Sequence, residues 1–323
     1  MLRNSPSYPR TIISLFLLTA TRLCLAQPET PAPSKPEKII IDTDIGDDID
    51  DAFAVALALC SPELQILGIT TTFGDTETRA KLLDRLLGEA GRTDIPVAMG
   101  TPDPKVQTSL SQRRYAEGGH FARPSHPPAV DFILDQIRQH PREITLVAIG
   151  PEVNLGAVID KDPQTFRKLR RVVLMGGSIY KGYGDWGYFP PRGPAPEWNI
   201  KNDPASARKV LASGVPVYMM PLDSTQLKMD EVKRAILFQA GTPITDALTL
   251  LYHEWGQETP TLFDPMTIAF IDDPKLCPVT PMHIVIDDNG MTRPTEGAPN
   301  AQVCLDSSSE AFFKFYIPRV SGR

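Results

Sequence analysis

Six aspartates fall within ten residues of this chain: Asp42, Asp44, Asp47, Asp48, Asp50 and Asp51. Carboxylates at that density repel one another, so either their pKa values rise or a cation neutralises them. A hard divalent ion with oxygen ligands is the simplest neutraliser, and Ca²⁺ tolerates several carboxylates better than Mg²⁺ does. The aspartates follow residues 38–41, an apolar β-branched run that reads as a short buried strand. They precede residues 52–59, which read as a helix of strong helix formers. The tip of a strand entering a helix is where open α/β sheets bind ligands. A plainer origin for such a cluster is a solvated helix N-terminus, where carboxylates favour the dipole. That origin suits Asp47 and Asp48. It does not suit Asp42 and Asp44, which flank the end of a buried strand.

The elements that must hold this cluster recur along the chain. Residues 64–73 read as a second strand ending at Gly74-Asp75, and residues 76–88 as a helix with Ala80, Leu83 and Leu87 on one face. Strands follow at 95–99, 144–149, 171–175 and 215–220, with helices at 130–140, 153–159, 204–213, 230–239 and 244–255. Alternation of strand and helix from 38 to 239 implies an α/β fold with an open, mostly parallel sheet and helices on both faces. Residues 283–305 suggest a small C-terminal antiparallel element. Two long loops, 100–128 and 178–202, interrupt the pattern, and loops of that length are usually functional or mobile.

The bulk properties bound the function. The chain has 323 residues, 41% of them hydrophobic and 22% charged, and a net charge of −6. This is the composition of a globule with a real core. The acidic balance argues against nucleic acid as a partner. Cys24, Cys60, Cys277 and Cys304 are too few and too scattered for a disulfide framework or a zinc ribbon, and Cys60 reads as a buried thiol. Residues 1–26 read as a cleaved secretory signal, with Arg3 and Arg10 before a short apolar run at 11–20. Residues 27–37 read as a Pro-rich linker, and 38–323 as one catalytic domain. The expected location is periplasmic or secreted, with no stable membrane insertion after cleavage. Calcium is plentiful outside the cell, so a calcium site could stay filled there.

Several blocks together resemble a known family. Residues 38–52, Thr70-Thr71-Thr72-Phe73-Gly74-Asp75, Ile149-Gly150-Pro151 with Asn154, Met175-Gly176-Gly177, Glu197-Trp198-Asn199 and Asp264-Pro265 stand in the order seen in the inosine-uridine-preferring nucleoside hydrolases. The resemblance covers nearly all of the chain beyond the linker. It implies a Rossmann-like fold, a tightly bound Ca²⁺ and hydrolysis of the N-glycosidic bond of ribonucleosides. It assigns Asp44, Asp51, Asp264 and the main-chain oxygen of Ile149 to the metal. Asp44 would also be the catalytic base that takes a proton from the water the ion activates. Asp50, Asp75, Glu197 and Asn199 would bind the substrate. Relatives of this kind form dimers or tetramers, which implies a possible homo-oligomer.

Two departures from the family pattern stand out. Asp47-Asp48 is an insertion before Ile49-Asp50-Asp51, so an ungapped alignment would move the second metal ligand towards Asp48. Phe263 occupies the position before Asp264 where many relatives carry a histidine that protonates the leaving base.

The chemistry asks for a nucleophilic water, stabilisation of an oxocarbenium-like sugar and help for the leaving base. Trp198, Tyr115, Tyr252 or Trp255 could stack on that base, and His120 is a candidate replacement acid. Taken alone, Asp264 before Pro265 reads as a helix cap and His253 as a surface residue. Two other functions compete. One is a calcium-bound ribose- or nucleoside-binding protein that has lost catalysis. The other is a phosphatase using Asp42 and Asp44, which Gly46 and the lack of a matching lysine disfavour.

Overall fold

In the computed structural model, the three consecutive isoleucines Ile39–Ile41 have no solvent exposure, because the strand that carries them lies in the middle of a sheet covered on both faces. Burying an isoleucine side chain contributes roughly 1.5–3 kcal/mol. This run therefore fixes β1 as the axis of the fold. The structure describes Met1 and residues 35–118, 120–184 and 192–322. The expected signal segment and residues 27–34 of the expected linker lie outside the described residues. From Lys35 onward the chain clusters as a unit of its own, and Glu37, expected in the linker, belongs to β1.

The first half runs β1 (Glu37–Thr43), α1 (Asp50–Leu59), β2 (Leu64–Thr71), α2 (Thr76–Glu89), β3 (Val97–Met99), α3 (Arg113–Glu117), α4 (Ala129–Gln139), β4 (Ile144–Ala148), α5 (Val153–Lys161), α6 (Pro163–Phe166) and β5 (Arg171–Met175). The middle comprises α7 (Trp198–Asn202), α8 (Pro204–Ala212), β6 (Val217–Met220), α9 (Leu222–Thr225), β7 (Leu227–Lys228), α10 (Glu231–Phe238) and α11 (Pro243–Trp255). The chain then continues through β8 (Thr261–Leu262), α12 (Pro265–Asp272), β9 (Val279–Ile286), β10 (Thr292–Thr295), β11 (Ala301–Cys304) and α13 (Ser309–Ser321).

Among the described residues, nine strands form one sheet in the order β10-β9-β11-β6-β5-β4-β1-β2-β3. Strands β3 through β11 of that order are parallel, and β9 and β10 add the expected antiparallel edge. The order turns back at β1. The chain winds to one side through β2 and β3 and to the other through β4, β5 and β6. The crevice beyond the carboxyl ends of β1 and β4 is therefore the topological switch point, where open α/β sheets take their ligands.

Helix α1 is apolar all round, and nine of its ten residues are buried, Asp50 and Asp51 among them. It starts two residues earlier than its apolar run because these aspartates form its acidic first turn. Helix α13 was not anticipated. Its Phe312, Tyr316 and Val320 form a buried stripe at four-residue spacing, and the Tyr316 hydroxyl donates to the Phe53 carbonyl at 2.9 Å. Cys277 and Cys304 form a disulfide joining the segment after α12 to the end of β11. Cys60 is a free thiol, partly rather than fully buried. Among the described residues no helix is long and apolar enough to cross a membrane.

Candidate active site

A cavity of about 360 Å³ opens at the switch point, within the roughly 300–1,000 Å³ typical of small-molecule sites. Its floor holds Asp50, Asp51 and Asp264, whose carboxylate oxygens lie within 4.8 Å of one another. Asp44 and Ile149 line the same cavity. Asp44 leaves the end of β1, Asp50 and Asp51 open α1, and Ile149 follows β4. The two-stranded β7–β8 ribbon returns the chain so that Asp264 reaches the floor from above α12. Asp264 makes no capping hydrogen bond with its side chain, so its carboxylate faces the cluster instead of serving the helix. Asp50 accepts the N–H groups of Phe263 at 3.3 Å and Asp264 at 3.4 Å, and Asp51 accepts the Thr43 hydroxyl.

Close approach at the floor depends on glycine. A Cβ on Gly150 would lie 2.8 Å from the Asp44 amide nitrogen and 2.8 Å from its Oδ1. Gly46, at φ +120°, lets the chain turn out of β1 in a conformation other residues rarely adopt.

Burial and like charge dominate the electrostatics. Burial pushes the Asp44 carboxyl up to about 6, against relief from the Arg79 guanidinium. Asp50, Asp51 and Asp264 are pushed well above the usual carboxylate range by burial first and then by neighbouring carboxylates, chiefly Asp48 for Asp50, Asp44 for Asp51 and Asp50 for Asp264. Burial also pushes Asp42 up to about 7, although Asn154 donates to it at 2.7 Å and Thr70 donates as well. Asp42 lies behind the floor and supports it. The donor set that converges is all oxygen, buried and short of positive charge. It suits a hard divalent cation and would gain from one.

Behind Asp44 lies a group that sequence reasoning missed. Arg79, in the first half of α2, has no solvent exposure. Its guanidinium donates to the carbonyls of Phe73 at 2.9 Å and Ile45 at 3.0 Å, to the Asp44 carbonyl, and to the Asp47 carboxylate at 2.7 Å. Asp47 also accepts Ser109 Oγ at 2.9 Å and the Leu110 N–H at 2.6 Å. Gln112 Nε2 donates to the Asp48 carbonyl at 2.7 Å. The Asp47-Asp48 insertion is thus clamped between Arg79 and the loop before α3. Asp47 is a structural tie, and Asp48 stands exposed at the cavity rim.

One wall of the cavity comes from α7 and its cap. Glu197 is buried and caps that helix, accepting N–H groups from Gly177 at 2.9 Å, Asn199 at 2.9 Å and Ile200 at 3.2 Å. Burial nonetheless pushes its carboxyl up to about 7. Asn199 donates to the Met175 carbonyl at 3.0 Å, which fixes its amide at the wall. The Tyr183 hydroxyl accepts the Trp198 N–H at 2.8 Å, and its ring meets Phe263 edge to face at 6.0 Å and 82°. Trp198, 47% exposed, meets Phe73 edge to face.

A family model described as inosine-uridine preferring nucleoside hydrolase matches residues 39–314. The chain belongs to this family. It is a hydrolase of the N-glycosidic bond of ribonucleosides. Among similar proteins, the pyrimidine-specific ribonucleoside hydrolase RihA of Citrobacter koseri is 31% identical over 314 residues, covering 88% of this chain and 97% of that one. RihA of Salmonella arizonae is 32% identical over 316 residues, covering 87% and 97%. Among solved structures, the plant nucleoside hydrolase PpNRh1 superposes with a TM-score of 0.78 at 25% identity, covering 90% of this chain and all of that one. A purine-preferring ribonucleoside hydrolase from Gardnerella vaginalis gives 0.76 at 23% identity over 88% of this chain and 98% of its own, a likeness of fold. Nucleoside hydrolases of this family are metal-dependent, and the buried acidic cluster is compatible with a metal site.

For this nucleoside hydrolase, the structure brings together Asp44, Asp50, Asp51, Ile149, Glu197, Asn199 and Asp264 around one cavity. Asp51, rather than Asp48, joins Asp264 on the floor, and Asp50 sits with them. Asp75, expected among the substrate-binding residues, is not among those lining the cavity. Its carboxylate caps α2 through the Thr78 N–H at 3.0 Å and pairs with Arg113 at 2.9 Å. Trp198 and Trp255 line the cavity, whereas Tyr115, Tyr252 and His120 are not among its lining residues. Tyr115 instead donates its hydroxyl to Glu89 under the Arg85 guanidinium. Tyr183, Ser109 and Gln257 line the cavity without having been foreseen. They sit in loops with no periodic pattern to flag them.

Proposed function

We propose that this chain is an exported, Ca²⁺-dependent ribonucleoside hydrolase in which Asp44 is the general base. The observation that carries this reading is the convergence of Asp50, Asp51 and Asp264 within 4.8 Å at the floor of a cavity that Asp44 also lines. Asp44, Asp51, Asp264 and the Ile149 carbonyl would hold the ion, whose chemistry would be to acidify water and bind vicinal sugar hydroxyls. Ca²⁺ is favoured over Mg²⁺ by the number of carboxylates on offer.

The side chains of the protein supply the remaining steps. Asp44, pushed up towards neutrality by its burial, takes the proton of the attacking water. Asp50 is poised for ribose hydroxyls at the floor, and Glu197 and Asn199 for the outer hydroxyls at the wall. The carboxylates around the anomeric carbon stabilise the cationic sugar as it forms. Export is supported by the Cys277–Cys304 disulfide, since such bonds persist in oxidising compartments.

The test is ribose release from a panel of purine and pyrimidine ribonucleosides by the purified chain with Ca²⁺ present. Ribose from at least one supports the reading, and none from any would sink it. Phe263, where a leaving-group acid is expected, favours a second reading. That alternative is a ribose- or nucleoside-binding protein with impaired catalysis, recognised by tight binding of ribose without turnover.

A further inference from the structure

The base side of the cavity carries an inference that deepens the hydrolase reading and rests on it. When a neutral nucleoside is cleaved, the electron pair of the C1′–N bond stays on the base, and the departing ring nitrogen needs a proton. Among the described residues lining the cavity there is no histidine, lysine or arginine. Phe263 presents a hydrocarbon ring beside Asp264. The Tyr183 hydroxyl accepts the Trp198 N–H through its oxygen, which leaves its own proton in place, and burial followed by the Glu197 charge pushes the phenol up, so that proton is held firmly.

The charge at the site points the same way. Among the described residues, every charged side chain lining the cavity is a carboxylate. Arg79 compensates Asp47 from behind the wall, and a single divalent cation at the floor cannot neutralise the rest. Asp48 remains at the rim, accepting the Ile49 N–H at 2.7 Å. The rings of Trp255, Phe263, Tyr183 and Trp198 line the same cavity. Aromatic faces attract cations by about 0.5–2 kcal/mol, which is roughly a 2- to 30-fold preference.

We propose that the site prefers ribosides whose base carries a fixed positive charge, such as pyridinium or N7-alkylated purine ribosides. In that reaction the water oxygen bonds to C1′ as the C1′–N bond breaks. The bonding pair returns to the ring nitrogen and cancels its positive charge. The base leaves neutral without accepting a proton, and the proton lost by water passes to Asp44 and from there to solvent. Ribose, neutral base and one proton account for every atom and charge.

The experiment compares kcat/KM for N7-methylguanosine with guanosine, and for nicotinamide riboside with uridine, using the Ca²⁺-loaded full chain at one pH. Each value is divided by the uncatalysed hydrolysis rate of the same compound, which removes the greater intrinsic lability of cationic ribosides. The expected result is a normalised preference for the cationic member of each pair of about tenfold, expressed in KM as well as kcat. Asp48→Asn should lower that preference severalfold; because the readout is a ratio on one protein sample, partial misfolding cancels. A normalised ratio at or below one would overturn the proposal while leaving the hydrolase reading intact. Loss of guanosine turnover in Asp48→Asn with N7-methylguanosine spared would also overturn it, by making Asp48 the leaving-group acid. No ribose from any of the four compounds would overturn the hydrolase reading itself and the proposal with it.

Discussion

Replacing Arg79 with methionine tests whether the Asp47-Asp48 insertion is part of the architecture of the site. The side chain has no solvent exposure and satisfies three carbonyls and the Asp47 carboxylate at once. Methionine fills much of the volume and supplies no donor. Removing one partner of a buried ion pair costs about 3–5 kcal/mol. Asp47 is 17% exposed and keeps Ser109 and Leu110 as donors, which argues for the lower end, about 3 kcal/mol. At roughly 2–4 °C per kcal/mol, the melting temperature should fall by about 6–12 °C. Asp47→Asn in the same background should recover part of the loss, because the stranded charge is then gone. A double-mutant cycle read by urea midpoints should give a coupling of at least about 1 kcal/mol. A loss below about 1 kcal/mol for Arg79→Met, or strict additivity with Asp47→Asn, would refute the reasoning.

Three further changes probe other parts of the structure. Gly150→Ala places a methyl group 2.8 Å from the amide nitrogen and Oδ1 of Asp44; a displacement of the base by about 1 Å costs roughly 100-fold in rate, so ribose release should drop by that order while circular dichroism stays native. Breaking the Cys277–Cys304 bond, which spans 27 residues, should cost about 3.5 kcal/mol on loop entropy, visible as a lower melting temperature with reductant or with both cysteines replaced by serine. Asp162 accepts from Thr165 and pairs with Arg138 at 2.9 Å, contacts that hold its carboxyl down to about 2. A carboxyl depressed on folding stabilises above its unfolded value near 3.8 and loses that contribution as pH falls towards the folded value. The destabilisation caused by Asp162→Ala should therefore be constant at neutral pH and shrink below about pH 4 in urea titrations.

Much of the fold was legible because buried parallel strands are written as short β-branched runs. Residues 38–41, 144–149 and 171–175 announce themselves without reference to anything distant, and the alternation with helices then dictates a parallel sheet. The floor of the site was legible for the same reason, since Asp44, Asp50 and Asp51 sit at fixed offsets from one strand and one helix. What could not be read was set by contacts across the chain. Arg79 meets Asp47 from 32 residues away, and nothing local marks an arginine beside Ala80 as a buried counter-ion. Four cysteines do not state their connectivity, so the pairing of Cys277 with Cys304 emerged only when β11 was placed beside β9 and β6. Asp75 carries the residue type of a ligand, but the start of α2 claims it as a cap. Helix α13 was missed because Pro318 sits inside it and its stripe is short.

The central claim is that a cation held at the cavity floor by Asp44, Asp51, Asp264 and the Ile149 carbonyl enables hydrolysis of a ribonucleoside. The most direct measurement is ribose release from inosine and uridine before chelation, after exhaustive chelation, and after Ca²⁺ is returned. Turnover should vanish on chelation and return with Ca²⁺. Turnover that survives complete removal of metal, or that Ca²⁺ fails to restore, would contradict the account.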